Sequence, residues 1–161
     1  ANEEAALRAA RSLEPQMVVN KDLLGDIAAA SASKVAAIRS VRAILLAFQR
    51  EFANAPPNRA KGAVLDGRDI GTVVCPDADI KLFVTASTEV RAKRRHKELL
   101  DRGEPSIYSR VLQDMKVRDK RDEGRAVAPL KPAHDALVID TSELDADAVF
   151  ETAMNIVSED A

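Results

Sequence analysis

The sequence predicts an α/β fold built on a parallel sheet with helices on its faces. Three observations carry this. Residues 63–67 (AVLDG), 79–87 (DIKLFVTAS) and 135–140 (DALVID) are short apolar runs, each closing in polar residues. Helix-forming segments follow the second and third runs, over 88–102 and 143–158. Strands alternating with helices imply parallel pairing, because a chain returning in the same direction needs a crossover.

The first segment, 3–13, is rich in alanine and leucine and stops before Pro15, so it is expected to be a helix. A long helix is expected over 32–52, where Val35, Ile38, Val41, Leu45, Phe48 and Phe52 recur every three or four residues. Two prolines and a glycine mark 53–62 as a loop. Thr141 and Ser142, ahead of Glu143, are the expected cap of the last helix. The span 91–125 interleaves arginine and lysine with acids. It reads either as a solvated helical hairpin turning at Gly103–Pro105 or as a flap that grips phosphate.

With 24 basic and 26 acidic residues in 161, the chain has a net charge of −2 and no global attraction to nucleic acid or an anionic membrane. Its single cysteine, Cys75, excludes an internal disulfide, and a reducing cytoplasm is expected. His96 and His134 lack ligand spacing, so no metal site is expected. No apolar stretch is long enough for a membrane span, and the acidic, helical start does not read as a signal peptide.

In parallel α/β sheets, ligands sit beyond the carboxyl ends of the strands. The stretch GRD (67–69) follows an apolar run and falls at such an end. Arginine makes planar, bidentate contacts with phosphate, and phosphoryl transfer needs several arginines converging on the moving group. Candidates are Arg42, Arg68, Arg118, Arg121 and Arg125, with Arg91, Arg94 and Arg95 on the flap. A helix over 118–125 places Arg118, Arg121, Asp122 and Arg125 roughly along one side; a salt-bridged face gives the same pattern. Asp69 and Asp122 suit an amino group or a sugar hydroxyl, or pairing with a neighbouring arginine. The donor-phosphate cradle GxxxxGK[ST] occurs nowhere in the 161 residues.

The strings ASASKVAAIRSVRAILLAFQR, AVLDGRDIGTVVCPDADIKLFVTAS, VRAKRRHKELLDRGE and VRDKRDEGRAVAPLKPAHDALVIDTSELD strongly resemble the bacterial cytidylate kinases. The resemblance runs from about residue 30 to the end and extends to the helix at 3–13. It implies a P-loop nucleoside monophosphate kinase fold that transfers the γ-phosphoryl group of ATP to CMP or dCMP with magnesium, in a cytoplasmic monomer. It implies that Ser33 and Arg42 hold the cytosine and the monophosphate. Arg68 and Asp69 contact base and sugar, and Arg118, Asp122 and Arg125 grip phosphate and sugar. Arg118, Arg121 and Arg125 are the catalytic arginines, and Arg91, Arg94 and Arg95 belong to a lid over ATP. The implied organisation is a core and CMP-binding region (1–52), core strands with the GRD stretch (53–87), a lid (88–125) and a closing strand and helix (126–161).

Two departures from the family pattern stand out. Arg39 occupies a position usually held by proline. The family's first strand and its phosphate-cradling loop have no counterpart, which leaves runs 63–66 and 80–85 flanking a gap. The chain on its own is therefore expected to show little or no catalysis. A non-catalytic relative that binds pyrimidine nucleotide or a partner protein is the alternative.

Overall fold

The computed structural model describes residues 2–14, 17, 31–32, 34–35, 38–123 and 130–159. The chain divides into two compact units, Ala1–Leu65 and Asp66–Ala161.

In the first unit, α1 spans Glu3–Arg11. The Asn2 side chain accepts a hydrogen bond from the Ala5 amide, and Glu3 and Glu4 lie at the positive end of the helix dipole. The helix expected over 32–52 is interrupted: the described residues 31–32 and 34–35 are helical, and α2 spans Arg39–Asn54. The reason is Ile38, whose extended backbone (φ −75°, ψ 116°) breaks the helical path. Arg39 is thus the first residue of α2, the position where proline is best accommodated and where other residues cost little, so this departure leaves the helix whole. The two helices pack through buried Ala10 and Val41, and the Ser40 hydroxyl donates to Glu3 Oε1 at 2.9 Å.

The run 63–67 is not a strand. It forms no ladder among the described residues, and Val64 is 97% exposed. An extended run is a strand only when a neighbour takes up its amides and carbonyls, and the described sheet has no strand beside it.

The second unit holds that sheet: β1 (Leu82–Thr85) pairs in parallel with β2 (Leu137–Asp140), Leu82 opposite Leu137 and Thr85 opposite Asp140. The two predicted strands are present but shortened to four residues each. Ile139, Ala86, Ala92 and Val74 form the buried core around them. Before β1, residues Ile70–Val74 make a wide helical turn closed by the Val74 and Cys75 amides, which donate to the Asp69 and Ile70 carbonyls at 3.2 and 2.7 Å. Gly71 lets the Lys81 stem pass; a Cβ there would lie 3.3 Å from Lys81 Cδ.

Helix α3 (Thr88–Asp101) is capped by Ser87, whose Oγ accepts from the Val90 amide at 3.3 Å. Gly103, with φ +76°, turns the chain as expected, its amide bonding Leu100 O at 2.9 Å. Helix α4 (Tyr108–Glu123) then packs back along α3, and α5 spans Ala146–Glu159. The cap of α5 is Asp145, which accepts from the Ala148 amide at 2.9 Å, not Thr141 and Ser142. Those two residues are engaged at the strand ends instead.

At the start of both strands Lys81, with its side chain only 6% exposed, ends on the Asp135 carboxylate. Lys81 holds the Asp135 carboxyl below its usual range. That stabilisation is therefore complete above the ordinary carboxylate pKa and is lost as pH falls through the lower folded value. Asp135→Asn is expected to lower the thermal midpoint by a few degrees at neutral pH. The gap to the native protein should close on acidification, as thermal melts across a pH series will show.

Candidate active site

The carboxyl ends of β1 and β2 lie side by side, and polar residues crowd them. Thr141, 4% exposed, donates its amide (2.8 Å) and its hydroxyl (2.9 Å) to the Thr85 carbonyl. The Ser87 amide donates to Ser142 Oγ at 2.9 Å, and Ser142 donates its hydroxyl to Asp140 Oδ1 at 2.6 Å. Together with the Ser142 amide, this keeps the Asp140 carboxyl below its usual range. Each hydrogen bond crosses from the end of one strand to the end of the other or closes a turn there. The strand ends are thus a rigid platform.

The α3–α4 hairpin rises from this platform. Arg91 donates Nη1 to Asp119 Oδ1 (3.0 Å) and Nη2 to Asp119 Oδ2 (2.7 Å), the bidentate geometry in which arginine and carboxylate bind best. Its fork holds the Asp119 carboxyl below the usual range, and the charge of Arg68 adds to the effect. Arg68 of the GRD stretch therefore belongs to the same positive field as the hairpin. Arg94 donates to Thr141 Oγ1 (3.0 Å) and to the carbonyls of Thr141 (2.5 Å) and Leu144 (3.0 Å). Arg95 bonds Glu98 at 2.8 Å, and Glu98 also receives Arg102. All three arginines read as facing ATP thus hold protein oxygens in this structure.

The remaining predicted residues fall as follows. Asp69 is half-buried at the start of the wide turn, its carbonyl closing that turn. Arg118 lies on the exposed side of α4, and Arg121 and Asp122 are in its last turn. Arg42 is half-buried on α2 of the first unit. Ser33 and Arg125 lie outside the described residues. His96 contacts Ser106 Oγ at 2.8 Å and meets Tyr108 edge-on, while exposed His134 lies 3.5 Å from Asp135. No group of three or more His, Cys, Asp or Glu among the described residues is placed to hold a metal ion. No helix among them is long and apolar enough to cross a membrane. Sequence reasoning missed Asp119, Thr88 and Thr141, whose partners lie 28 to 56 residues away. The Arg-Asp step at 118–119 was visible, but nothing local tied it to Arg91.

A parallel sheet with a polar carboxyl edge and an arginine-rich helical hairpin suits a phosphotransferase. Comparison with known proteins makes this specific. The family model described as cytidylate kinase matches residues 3–159. A cytidylate kinase from Paramagnetospirillum magneticum is 62% identical over 152 residues, covering 94% of this chain and 72% of that protein. Those from Rhodospirillum rubrum (54% over 155 residues, 96% and 73% covered) and Methylocella silvestris (55% over 154 residues, 96% and 69% covered) align similarly. The fold is that of the P-loop nucleoside monophosphate kinases, a class of phosphotransferases. The chain belongs to the cytidylate kinase family.

Thr141 is the side chain on which the platform converges. Thr141→Val keeps its shape and removes Oγ1, leaving an Arg94 N–H without that acceptor. Chemical denaturation is expected to show a loss of about 1–3 kcal/mol with an unchanged denaturant slope.

Proposed function

We propose that the protein transfers the γ-phosphoryl group of ATP to CMP or dCMP, giving CDP or dCDP and ADP. The observation that carries this reading is the electropositive grouping of Arg68, Arg91 and the arginine-bearing α4 beside the strand ends, in a chain of this family. A phosphate oxygen of the acceptor attacks the γ-phosphorus as its bond to the ADP oxygen breaks. Charge spreads over the three equatorial oxygens, and fixed cations there stabilise the transition state more than the ground state.

In this reading Ser33, Arg42, Arg68 and Asp69 hold the base, sugar and acceptor phosphate. Asp122 takes a sugar hydroxyl. Arg118, Arg121 and Arg125 neutralise the phosphoryl group in transit. The α3–α4 hairpin serves as the lid that excludes water from ATP. Magnesium bound with ATP would neutralise phosphate charge, and the residues named here would position the phosphates around it. The protein acts as a cytoplasmic monomer.

The absence of GxxxxGK[ST] from the 161 residues favours one further statement. Taken alone, this stretch binds CMP but turns over little or none, because nothing in it cradles the β- and γ-phosphates of ATP. A coupled ADP-release assay with CMP, dCMP, UMP and AMP on the natural full-length protein tests the activity. Isothermal titration of the 161-residue chain with CMP and with ATP tests the second statement. Absence of turnover with both CMP and dCMP by the full-length protein overturns the reading. In the same assay Arg118→Ala is expected to lower kcat by about 10²–10³-fold, the usual cost of removing one charge-stabilising donor.

A further inference from the structure

We propose that Arg91 and Asp119 form a positioning pair that sets how α4 presents Arg118 and Asp122 to the acceptor nucleotide. This rests on the phosphoryl-transfer reading above. It gives Arg91 a role other than gripping ATP.

The guanidinium of Arg91 has five N–H donors. Nε donates to the Ala86 carbonyl at 3.0 Å, Nη1 and Nη2 take the two Asp119 oxygens, and Nη2 also donates to Thr88 Oγ1 at 3.0 Å. Thr88 Oγ1 in turn donates to Asp119 Oδ2 at 3.2 Å. Four directed donors are therefore committed to protein oxygens. One remains, too few for a bidentate grip on phosphate. Ala86, 8% exposed, is the residue after β1, so the pair refers α4 directly to the end of the sheet.

Helix geometry explains why Asp119 is the residue held. At about 100° per residue, positions 118 and 122 fall within about 40° of each other, both to one side of position 119. Fixing Asp119 fixes the rotation of the helix that carries them. The turn at 102–107 is braced locally, by Arg102 on Glu98 and by Ser106 against His96, whereas the Arg91–Asp119 pair acts about three turns further along α4. The nearby Lys116–Glu89 contact, at 3.3 Å with both side chains about half exposed, adds little.

Arg91→Lys keeps the charge and loses the fork; Asp119→Asn keeps the shape and loses the charge. Both are made, singly and together, in the natural full-length protein. Initial rates are measured against CMP and ATP, and hydrogen exchange is followed over 112–119. Each single variant is expected to reduce kcat/KM for CMP roughly tenfold, the scale of a misplaced positioning contact. The double variant should be no worse than either single, because the two residues act as one unit. The KM for ATP should stay within about twofold, and exchange along α4 should quicken. A raised KM for ATP in Arg91→Lys with Asp119→Asn kinetically silent overturns the proposal and makes Arg91 an ATP ligand. Additive losses or unchanged α4 exchange also overturn it. If the unmodified protein fails to phosphorylate CMP, the function fails and the pair is judged by exchange alone.

Discussion

The pairing of Leu82–Thr85 with Leu137–Asp140 is what everything else in the second unit refers to, and four residues a side do not secure it. Side chains bolt it at both ends. Lys81 and Asp135 close the amino ends, and Thr141, reaching Thr85 and receiving Arg94, closes the carboxyl ends. The backbone ladder fixes direction and register, while the bolts fix the two ends. The carboxyl ends carry the residues from which the platform is built, Thr85, Ser87, Asp140, Thr141 and Ser142.

Arginine serves two purposes here, and geometry separates them. Arg94 lies among backbone carbonyls and Arg91 faces a carboxylate, so both guanidinium planes are spent on holding helices in place. Arg118 lies on the exposed side of α4, the helix that the Arg91–Asp119 fork holds. A cation that must meet a moving phosphoryl group is best carried on an element whose own position is already fixed, since any looseness lowers the effective concentration of charge.

The sequence revealed most where the physics is local. Composition and the stop before Pro15 marked α1, and the charge-interleaved span 91–125 with its turn at Gly103–Pro105 marked the α3–α4 hairpin, because each signal is carried by residues close in the chain. It marked helix at 31–32 and 34–35 and over α2 but missed the interruption at Ile38, because a backbone break there leaves the apolar period intact. It read 63–67 as a strand because an apolar run has the same composition whether or not a neighbour pairs with it. The cap of α5 was assigned three residues early: Thr141 and Ser142 are good caps, but the strand ends claim them first. The arginine-rich helix was legible; the carboxylate that orients it was not. No local pattern links position 91 to position 119.

That link changes how the hairpin is read. Were α4 held only through its turn with α3, error in its rotation would accumulate over the length of two helices. Instead α4 is fastened near the point where α3 leaves the sheet, through Ala86, Thr88 and Arg91, and α3 is fastened to the opposite strand end through Arg94 and Thr141. The path from the β2 end to Arg118 therefore runs through two arginine forks and no flexible loop. A helix so referenced carries its charges to one place each time a nucleotide arrives, which is what electrostatic stabilisation of a short-lived phosphoryl transition state requires.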